Sequence, residues 1–291
     1  MNSRKIQDEV LANIELSGVC TSYFKIDDLI RQGGESEVSI TSVLDEGELI
    51  VKNRLIKLVN SGIYRHPQKV ATVAEAVRLV GHVEIRDLVL GISLMEVLNR
   101  LSPDIVTRES FWKHGLATGI ACASLAGYLA PDNIARFFLA GLLHDIGSLF
   151  MYPQISERSL MNILKKRHAS DALYDLEEEV LGYHHAEVGG VFAANLKLPI
   201  WLQEAIGYHH APMDAPHHSL EAATVHVADI IVNAMRCGSR GEFLVPPLAT
   251  GAWEKLQLPA GVLQAVMLKI DSLMPIVTSA MLDEHVIDQS H

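Results

Sequence analysis

The chain has 291 residues, enough for one large domain or two smaller ones with a sizeable hydrophobic core. Hydrophobic residues make up 49% of it, which argues against intrinsic disorder, and a formal net charge of −11 argues against general binding to nucleic-acid phosphates. The three cysteines lie far apart without a CxxC spacing, so they indicate neither a disulfide framework nor a cysteine zinc site and fit a reducing cytoplasm.

The first residues, 1–16, mix charged and apolar side chains and contain no signal-peptide core, which also favours a cytoplasmic location. A long uncharged run extends from Gly115 to Pro131, but it is shorter than the ~20 residues that a membrane-spanning helix needs. Because this run is rich in small residues and has no basic flank, we expect a buried helix and no membrane association.

Helix signals dominate the N-terminal half. The apolar residues of one predicted helix recur at the spacing of a single helical face: Val51, Leu55, Leu58 and Val59. Residues 60–62, Asn-Ser-Gly, end this helix. Thr72 and Glu75 form a capping box that begins the next one, and Gly81 ends it.

The second half continues the same pattern. Further helix boundaries are marked by Pro131, Pro199, Ser219 and Gly238. Pro131 is expected to begin the helix that carries "LAGLLHDIGSLF", residues 139–150. Only "EFLVPP", residues 242–247, looks extended, and its prolines argue against a strand. The sequence therefore predicts an all-α fold.

The softest boundary in the chain is "RLSPDI", residues 100–105. It divides an N-terminal helical bundle, residues 1–103, from a second bundle, residues 104–291. The segment is too short and too apolar for a flexible linker, so we expect the two bundles to pack together. The basic run at residues 165–168 is interpreted as a solvated helix end, where cations are favoured.

Histidines and aspartates occur where helices should show apolar faces. His144 and Asp145 interrupt the apolar run at residues 139–150, and the other candidates are His114, His185, His209, His210 and Asp229. Taken singly, a core histidine is more often hydrogen-bonded to a carbonyl, and Asp229 alone is more often a capping or paired carboxylate. Four further histidines are assigned to surface or supporting roles: His184, His217, His218 and His226.

The combination changes this interpretation. Imidazole nitrogens and carboxylate oxygens are the ligands of zinc, iron, manganese and nickel, and here they come from separate apolar helices that must converge. Burying ionised carboxylates is costly unless a cation compensates them. The sequence therefore predicts one or two divalent transition metal ions, with iron, zinc or manganese as the candidates.

The order His114, His144-Asp145 and Asp229 resembles the HD superfamily of metal-dependent phosphohydrolases, which is all-helical. More specifically, six segments resemble the HD-related output domain, HDOD. Four of them are "FWKHGLATGIA", "FLAGLLHDIG", "HAEVGGVFAANLKLPIWLQEAIGYHH" and "VHVAD". The other two lie in the N-terminal half and are "RLIKLVNSGIYR" and "TVAEAVRLVGHVEIRDLVL". The resemblance covers residues 40–235 and implies an HD-type helical bundle preceded by an N-terminal helical bundle.

The related HD-GYP phosphodiesterases hydrolyse cyclic dinucleotides with metal ions, and their additional ligands lie in an HPxxG-type and an HH-type motif. His185 and the pair His209-His210 match those two motifs. The resemblance thus implies that a first ion is bound by His114, His144, Asp145 and Asp229. It further implies that Asp145 bridges to a second ion, held by His185, His209 and His210.

This chain departs from the HD-GYP pattern at two places. Ser148 occupies the position of the lysine that follows their HD dipeptide, and Ala211 follows the paired histidines where they carry a glutamate and then the GYP element. Similar HDOD proteins are regarded as output or scaffolding modules of bacterial signal transduction without established catalysis. The resemblance therefore supports a metal site more strongly than it supports turnover.

Two functions remain open at this point. The first is a non-enzymatic signalling module in which the ion holds helices together, with a signalling protein as partner. The second is a metal-dependent phosphohydrolase or phosphodiesterase with Asp145 in the catalytic site, acting on nucleotides or cyclic dinucleotides. We favour the first because the chain has no Gly-rich phosphate loop and lacks the expected lysine. A nucleotide or phosphate ligand at the metal site fits either function.

Overall fold

The computed structural model describes residues 6, 20–64, 66, 68–99, 101, 106–166, 172–239, 241 and 244–282. All regular secondary structure in these ranges is helical, so the predicted all-α class is confirmed. Of the segment that looked extended, residues 244–247 form no strand, and residues 242 and 243 lie outside the described ranges.

The N-terminal helices are α1 (Thr21–Arg31), α2 (Glu37–Asp45), α3 (Leu49–Val59), α4 (Val73–Val80) and α5 (His82–Leu98). The local signals explain their bounds. The side chain of Thr72 accepts a hydrogen bond from the backbone N–H of Glu75 at the start of α4, and Gly81 ends the helix with a φ of 92°. The predicted apolar face of α3 is buried.

The second part contains α6 (Arg108–Leu129), α7 (Ile134–Leu143), α8 (Gly147–Met151), α9 (Glu157–Lys166), α10 (Leu173–Leu181), α11 (His185–Asn195), α12 (Ile200–Gly207), α13 (Ser219–Met235), α14 (Ala252–Leu256) and α15 (Val262–Leu282). Pro199 and Ser219 mark helix starts as predicted, and Gly238 follows α13. The long uncharged run lies in α6, which is buried over most of its length as predicted.

One prediction about the helices was wrong. Pro131 begins a single 3-10 turn, and the helix that follows ends at Leu143, so the HD dipeptide lies between α7 and α8 and not inside one helix. This break is not visible in the sequence. The backbone at His144 keeps helical dihedral angles, φ −55° and ψ −34°, so the chain direction changes little there. The apolar pattern therefore continues across the turn.

Close contacts between backbones position this turn. A Cβ atom on Gly141 would lie 2.6 Å from the carbonyl oxygen of Thr118, so the glycine lets α7 approach α6 closely. A Cβ atom on Gly147 would clash with the backbone of His185 and lie 2.5 Å from the nitrogen of Gly189. These glycines bring the turn at residues 144–146, which we call the HD turn, against both α6 and α11.

The buried apolar residues of both parts form one continuous core. α6 is central to it and packs against α7, α13 and α15, while α5 packs against α7 and α3 packs against α15. Most of the predicted boundary at residues 100–105 lies outside the described residues, as does most of the start, residues 1–16. The division into residues 1–103 and 104–291 therefore stays a prediction.

In the part of the chain that the structure describes, two segments are long and apolar enough to cross a membrane by length and composition alone, Pro131–Gln154 and Val262–Leu282. The most apolar 18-residue stretch of the first is 89% buried inside the protein, and the segment contains the turn at His144, which makes it part of the core. The second, α15, is 33% buried and packs against α6 and α3.

Candidate metal centre

The structure brings all seven candidate side chains into one buried cluster. His114 comes from the middle of α6 and Asp229 from the middle of α13. The others lie at helix ends: His144 and Asp145 between α7 and α8, His185 at the first position of α11, and His209 and His210 in the turn after α12. Their relative exposures are 0–3%, except for His210 at 9%, so only His210 approaches the surface.

The first group of donor atoms lies on the side of Asp145 that carries Oδ2. The Nε2 atom of His114 lies 3.0 Å from Oδ1 of Asp229, and Nε2 of His144 lies 3.0 Å from Oδ2 of Asp145. The same Oδ2 lies 3.4 Å from Nε2 of His114. One donor atom each from His114, His144 and Asp229 lie within 4.8 Å of one another, which is compatible with a shared ion.

The second group lies on the other side of Asp145. The Nε2 atom of His185 is 3.0 Å from that of His210 and 3.3 Å from that of His209. Oδ1 of Asp145 is 3.2 Å from Nε2 of His185 and 3.8 Å from Nε2 of His209. Asp145 therefore faces one group with Oδ2 and the other with Oδ1, which is the position of a bridging carboxylate.

Hydrogen bonds on the far side of the rings set their orientation. Nδ1 of His144 donates to the carbonyl oxygen of Gly141 at 2.7 Å, and Nδ1 of His209 donates to that of Ile206 at 2.8 Å. Because a carbonyl oxygen only accepts, the proton of each neutral ring is on Nδ1. The bare Nε2 lone pair then points into the cluster, as in metal-ligating histidines.

Charge in the cluster has to be balanced. Burial raises the pKa of Asp229, but hydrogen bonds and charge from His114 and His144 outweigh burial and hold this pKa well below its usual range. Burial lowers the pKa of His144, but the charges of Asp145 and Asp229 outweigh burial and raise it to about 10. Burial and the charge of His144 hold the pKa of His209 well below 6.5. A positive charge, either a proton on His144 or a metal ion, must therefore accompany the buried carboxylates.

The donor set fits divalent transition metals. The Nε2 atoms of His209 and His210 lie 3.3 and 3.0 Å from that of His185, and two bare lone pairs at these separations repel unless a cation or a proton lies between them. Nδ1 of His114, in addition, is buried without a hydrogen-bond partner in the described part of the chain. One or two ions would be held by the seven residues in the two groups just described.

The sequence did not identify two buried residues beside the cluster. Glu177 on α10 accepts hydrogen bonds from the backbone N–H and from Nδ1 of His185, at 2.9 and 2.6 Å. Tyr152 donates its hydroxyl to the other oxygen of Glu177. The available signal was weak, since Glu177 belongs to an ordinary acidic helical run and meets His185 only because Gly182 turns the chain with a φ of 80°.

The remaining histidines take supporting places. His226 is buried at 4% exposure, so the surface alternative is wrong for it; its Nδ1 donates to the carbonyl oxygen of His209, and the N–H of Ala249 donates to its Nε2. The backbone N–H groups of His217 and His218 donate to Glu204. His184 lies just before α11, with its ring centroid 6.0 Å from that of His210.

The two positions that depart from the HD-GYP pattern are also located. Ser148 is fully buried in α8, and its Oγ has no hydrogen-bond partner in the described part of the chain. Ala211 is exposed beside the turn that carries the paired histidines. Neither side chain brings a charge to the cluster.

The sequence of the chain matches a known family. The HDOD domain model matches residues 21–212, and the chain therefore belongs to the HDOD domain family. The matched range begins before the resembling segments found in the sequence and ends at the paired-histidine turn.

Solved structures share the fold at low sequence identity. An HDOD domain protein with unknown function from Geobacter sulfurreducens is 20% identical, with a TM-score of 0.74 over 97% of each chain. A candidate phosphohydrolase from Shewanella amazonensis SB2B is 19% identical, with a TM-score of 0.70 over 94% of this chain and 97% of that one. At these identities the likeness shows the fold.

One relative matches by sequence. An uncharacterized protein of Treponema pallidum (strain Nichols) is 28% identical over 149 residues. The match spans 50% of this chain and 28% of the relative, so this chain covers only a minor part of that longer protein.

Proposed function

We propose that this protein is a metal-binding HDOD output module of bacterial signal transduction, without efficient catalysis. The observation that carries the proposal is the convergence of seven buried imidazole and carboxylate side chains in one cluster, with Asp145 between its two groups. One or two divalent ions, iron, zinc or manganese, would balance the charge of Asp145 and Asp229 and tie together five separate segments of the fold.

Access to the cluster favours a module over an enzyme. Six of the seven side chains are at most 3% exposed and the seventh, His210, is 9% exposed, so a substrate phosphate would have to enter past His210. Phosphoryl chemistry also needs cationic groups that position the phosphate. Ser148 provides no cation at the position where HD-GYP enzymes carry a lysine, and Ala211 provides no carboxylate where they carry a glutamate.

A second candidate is a metal-dependent phosphohydrolase acting on nucleotides or cyclic dinucleotides. The specific observation in its favour is the two-sided placement of Asp145, because two adjoining donor groups exceed what a structural site needs. Bound ions would supply Lewis acidity for water activation and phosphate binding. In that case Asp145 would be the central residue of the catalytic site.

The module's partner would be a signalling protein, and its location the cytoplasm. A nucleotide or phosphate remains the candidate small ligand at the ions. General nucleic-acid binding and membrane association are not expected, because the net charge is −11 and the first of the two long apolar segments is part of the core.

Metal analysis and an activity assay on the same preparation test the proposal. We expect at least one equivalent of a transition metal in untagged protein, measured by mass spectrometry. We expect no multiple turnover of cyclic or linear dinucleotides, nucleoside monophosphates or a bis-aryl phosphate with Mn²⁺ or Fe²⁺ under reducing conditions. Metal below about a tenth of an equivalent, without uptake on reconstitution, would contradict the module.

The variant Asp145→Ala is the control for this assay, because contaminating phosphatases are unaffected by it. Multiple turnovers in the parent that disappear in Asp145→Ala would establish the phosphohydrolase instead.

A further inference from the structure

Glu177 is fully buried and accepts hydrogen bonds from three donor atoms, two on His185 and one on Tyr152. One oxygen, Oε2, accepts from both the backbone N–H and Nδ1 of His185, and Oε1 accepts from the hydroxyl of Tyr152, which follows α8. The side chain of His185 is also completely buried. An ionisable group placed this deeply, with both oxygens engaged, requires an explanation beyond packing.

We propose that Glu177 is a positioning residue for the second ion, the one held by His185, His209 and His210. This inference rests on the metal site proposed above. Glu177 does not touch the ion; it acts through His185, and Tyr152 holds Glu177 in place.

The geometry explains how Glu177 would act. Two hydrogen bonds from one residue to a single oxygen fix both the backbone and the ring of His185, and they put the proton of the ring on Nδ1. Nε2 is thereby directed at the cluster, 3.2 Å from Oδ1 of Asp145 and 3.0 Å from Nε2 of His210. A carboxylate acceptor also makes the opposite nitrogen a stronger ligand.

One histidine of the second group differs from the other ligands in this respect. The Nδ1 atoms of His144 and His209 donate to neutral backbone carbonyls, whereas that of His185 donates to a carboxylate. Among these three ligands only His185 has a charged partner behind it. Loss of that charge should therefore weaken the second ion selectively and leave the ion at His114, His144 and Asp229 in place.

The test is Glu177→Gln in the full chain, titrated with Zn²⁺ against a competing chelator. Glutamine keeps the volume and can still accept from His185, so the variant removes mainly the charge. We expect the affinity for the second ion to fall by about 10- to 100-fold, and that for the first to change by less than about threefold. Tyr152→Phe should weaken the same ion to a smaller extent.

Glu84→Gln is the matched control, because Glu84 is also a buried glutamate that accepts from a tyrosine hydroxyl, that of Tyr64, and from a backbone N–H, that of Ala135. Glu84 contacts none of the proposed ligands, so the Glu84→Gln variant should bind Zn²⁺ as tightly as the parent. A spectroscopic readout separates positioning from general stability: we expect the Nδ1–H proton of His185 to resonate far downfield in the parent, because it donates to a carboxylate at 2.6 Å, and to move upfield in Glu177→Gln.

The outcomes are distinct. A parent that binds no Zn²⁺ overturns the proposed metal site itself. A parent that binds two ions, with Glu177→Gln binding both equally well, overturns the role of Glu177 and leaves the metal site standing. Equal loss of both ions in Glu177→Gln and Tyr152→Phe would show a general structural role and would also contradict this inference.

Discussion

At the scale of single residues, the cluster concentrates charge that water cannot screen. Asp145 and Asp229 are 3% exposed, and the surrounding histidines supply either protons or metal-ligating lone pairs. If the balancing charge is an ion that binds only the folded state, it adds its binding free energy to the stability of the protein. Removing the ion then leaves carboxylates that protons must neutralise.

Chelation should therefore lower the melting temperature of the parent by about 5–10 °C. An ion present at 100 times its Kd adds about 2.7 kcal/mol, and 1 kcal/mol shifts Tm by about 2–4 °C in a chain of about 150–250 residues. Differential scanning fluorimetry with and without chelator measures the effect. In Asp145→Ala the chelator should change Tm by less than half as much, whereas the exposed Asp214→Ala should behave like the parent. Identical melting of the parent in both conditions would mean that no stabilising ion is bound.

At the scale of elements, helix boundaries that depend on neighbouring residues could be predicted from the sequence. Features that depend on contacts between distant residues could not. The cap at Thr72 and the stop at Gly81 follow from neighbouring residues, and the structure confirms both. The break before His144 was missed because its dihedral angles stay helical while the hydrogen-bond pattern changes. The pairing of Glu177 with His185 was missed because it depends on how the turn at Gly182 aims α11 at α10.

The candidate ligands were predictable for a related reason. A polar residue on an apolar helical face is visible from its neighbours alone, as with Asp229 in α13. Which histidine faces which carboxylate oxygen was not visible, because it depends on the packing of α6, α11 and α13 around the HD turn. The separation of the donors into two groups on opposite oxygens of Asp145 thus comes from tertiary structure.

One contact between elements makes a pH-dependent prediction. Glu84 on α5 is buried at 7% exposure and accepts from Ala135 at the start of α7. Burial, the largest cause, raises its pKa from 4.5 to about 7. Between about pH 4.5 and 7, the carboxyl group of Glu84 is therefore protonated in the folded state and ionised in the unfolded chain. As a result, the free energy of unfolding falls as pH rises from about 4.5 through 7.

Glu84→Gln should remove this dependence, because glutamine does not titrate. Relative to the parent, the variant should gain on the order of 2 kcal/mol in unfolding free energy between pH 5 and pH 8. Urea unfolding of both proteins at the two pH values measures the difference, and other titrating groups cancel in the comparison. A constant difference between the two proteins would show that Glu84 has the same pKa in the folded and unfolded states.

At the scale of the whole molecule, the contacts between the two predicted bundles are those of a shared core. α5 packs on α7, the helix that leads into the HD turn, and α3 packs on α15 near the C-terminal end of the described chain. The hydrogen bond from Ala135 to Glu84 joins the same two parts. A bundle that swung freely would break these contacts and expose apolar surface on both sides.

Cutting the chain near residue 103 should therefore leave the two parts together. Limited proteolysis, or a specific protease site inserted there, should give two fragments that run separately in denaturing gels and elute as one species in size-exclusion chromatography. Separating the two fragments would expose the apolar side chains buried where α5 packs on α7 and where α3 packs on α15. Each large apolar side chain that is fully buried there contributes about 1.5–3 kcal/mol to the free energy that holds the fragments together. The same cut should reduce metal retention only slightly, since every proposed ligand lies after residue 103. Two fragments that separate on the column and remain folded would instead establish independent domains divided at residues 100–105.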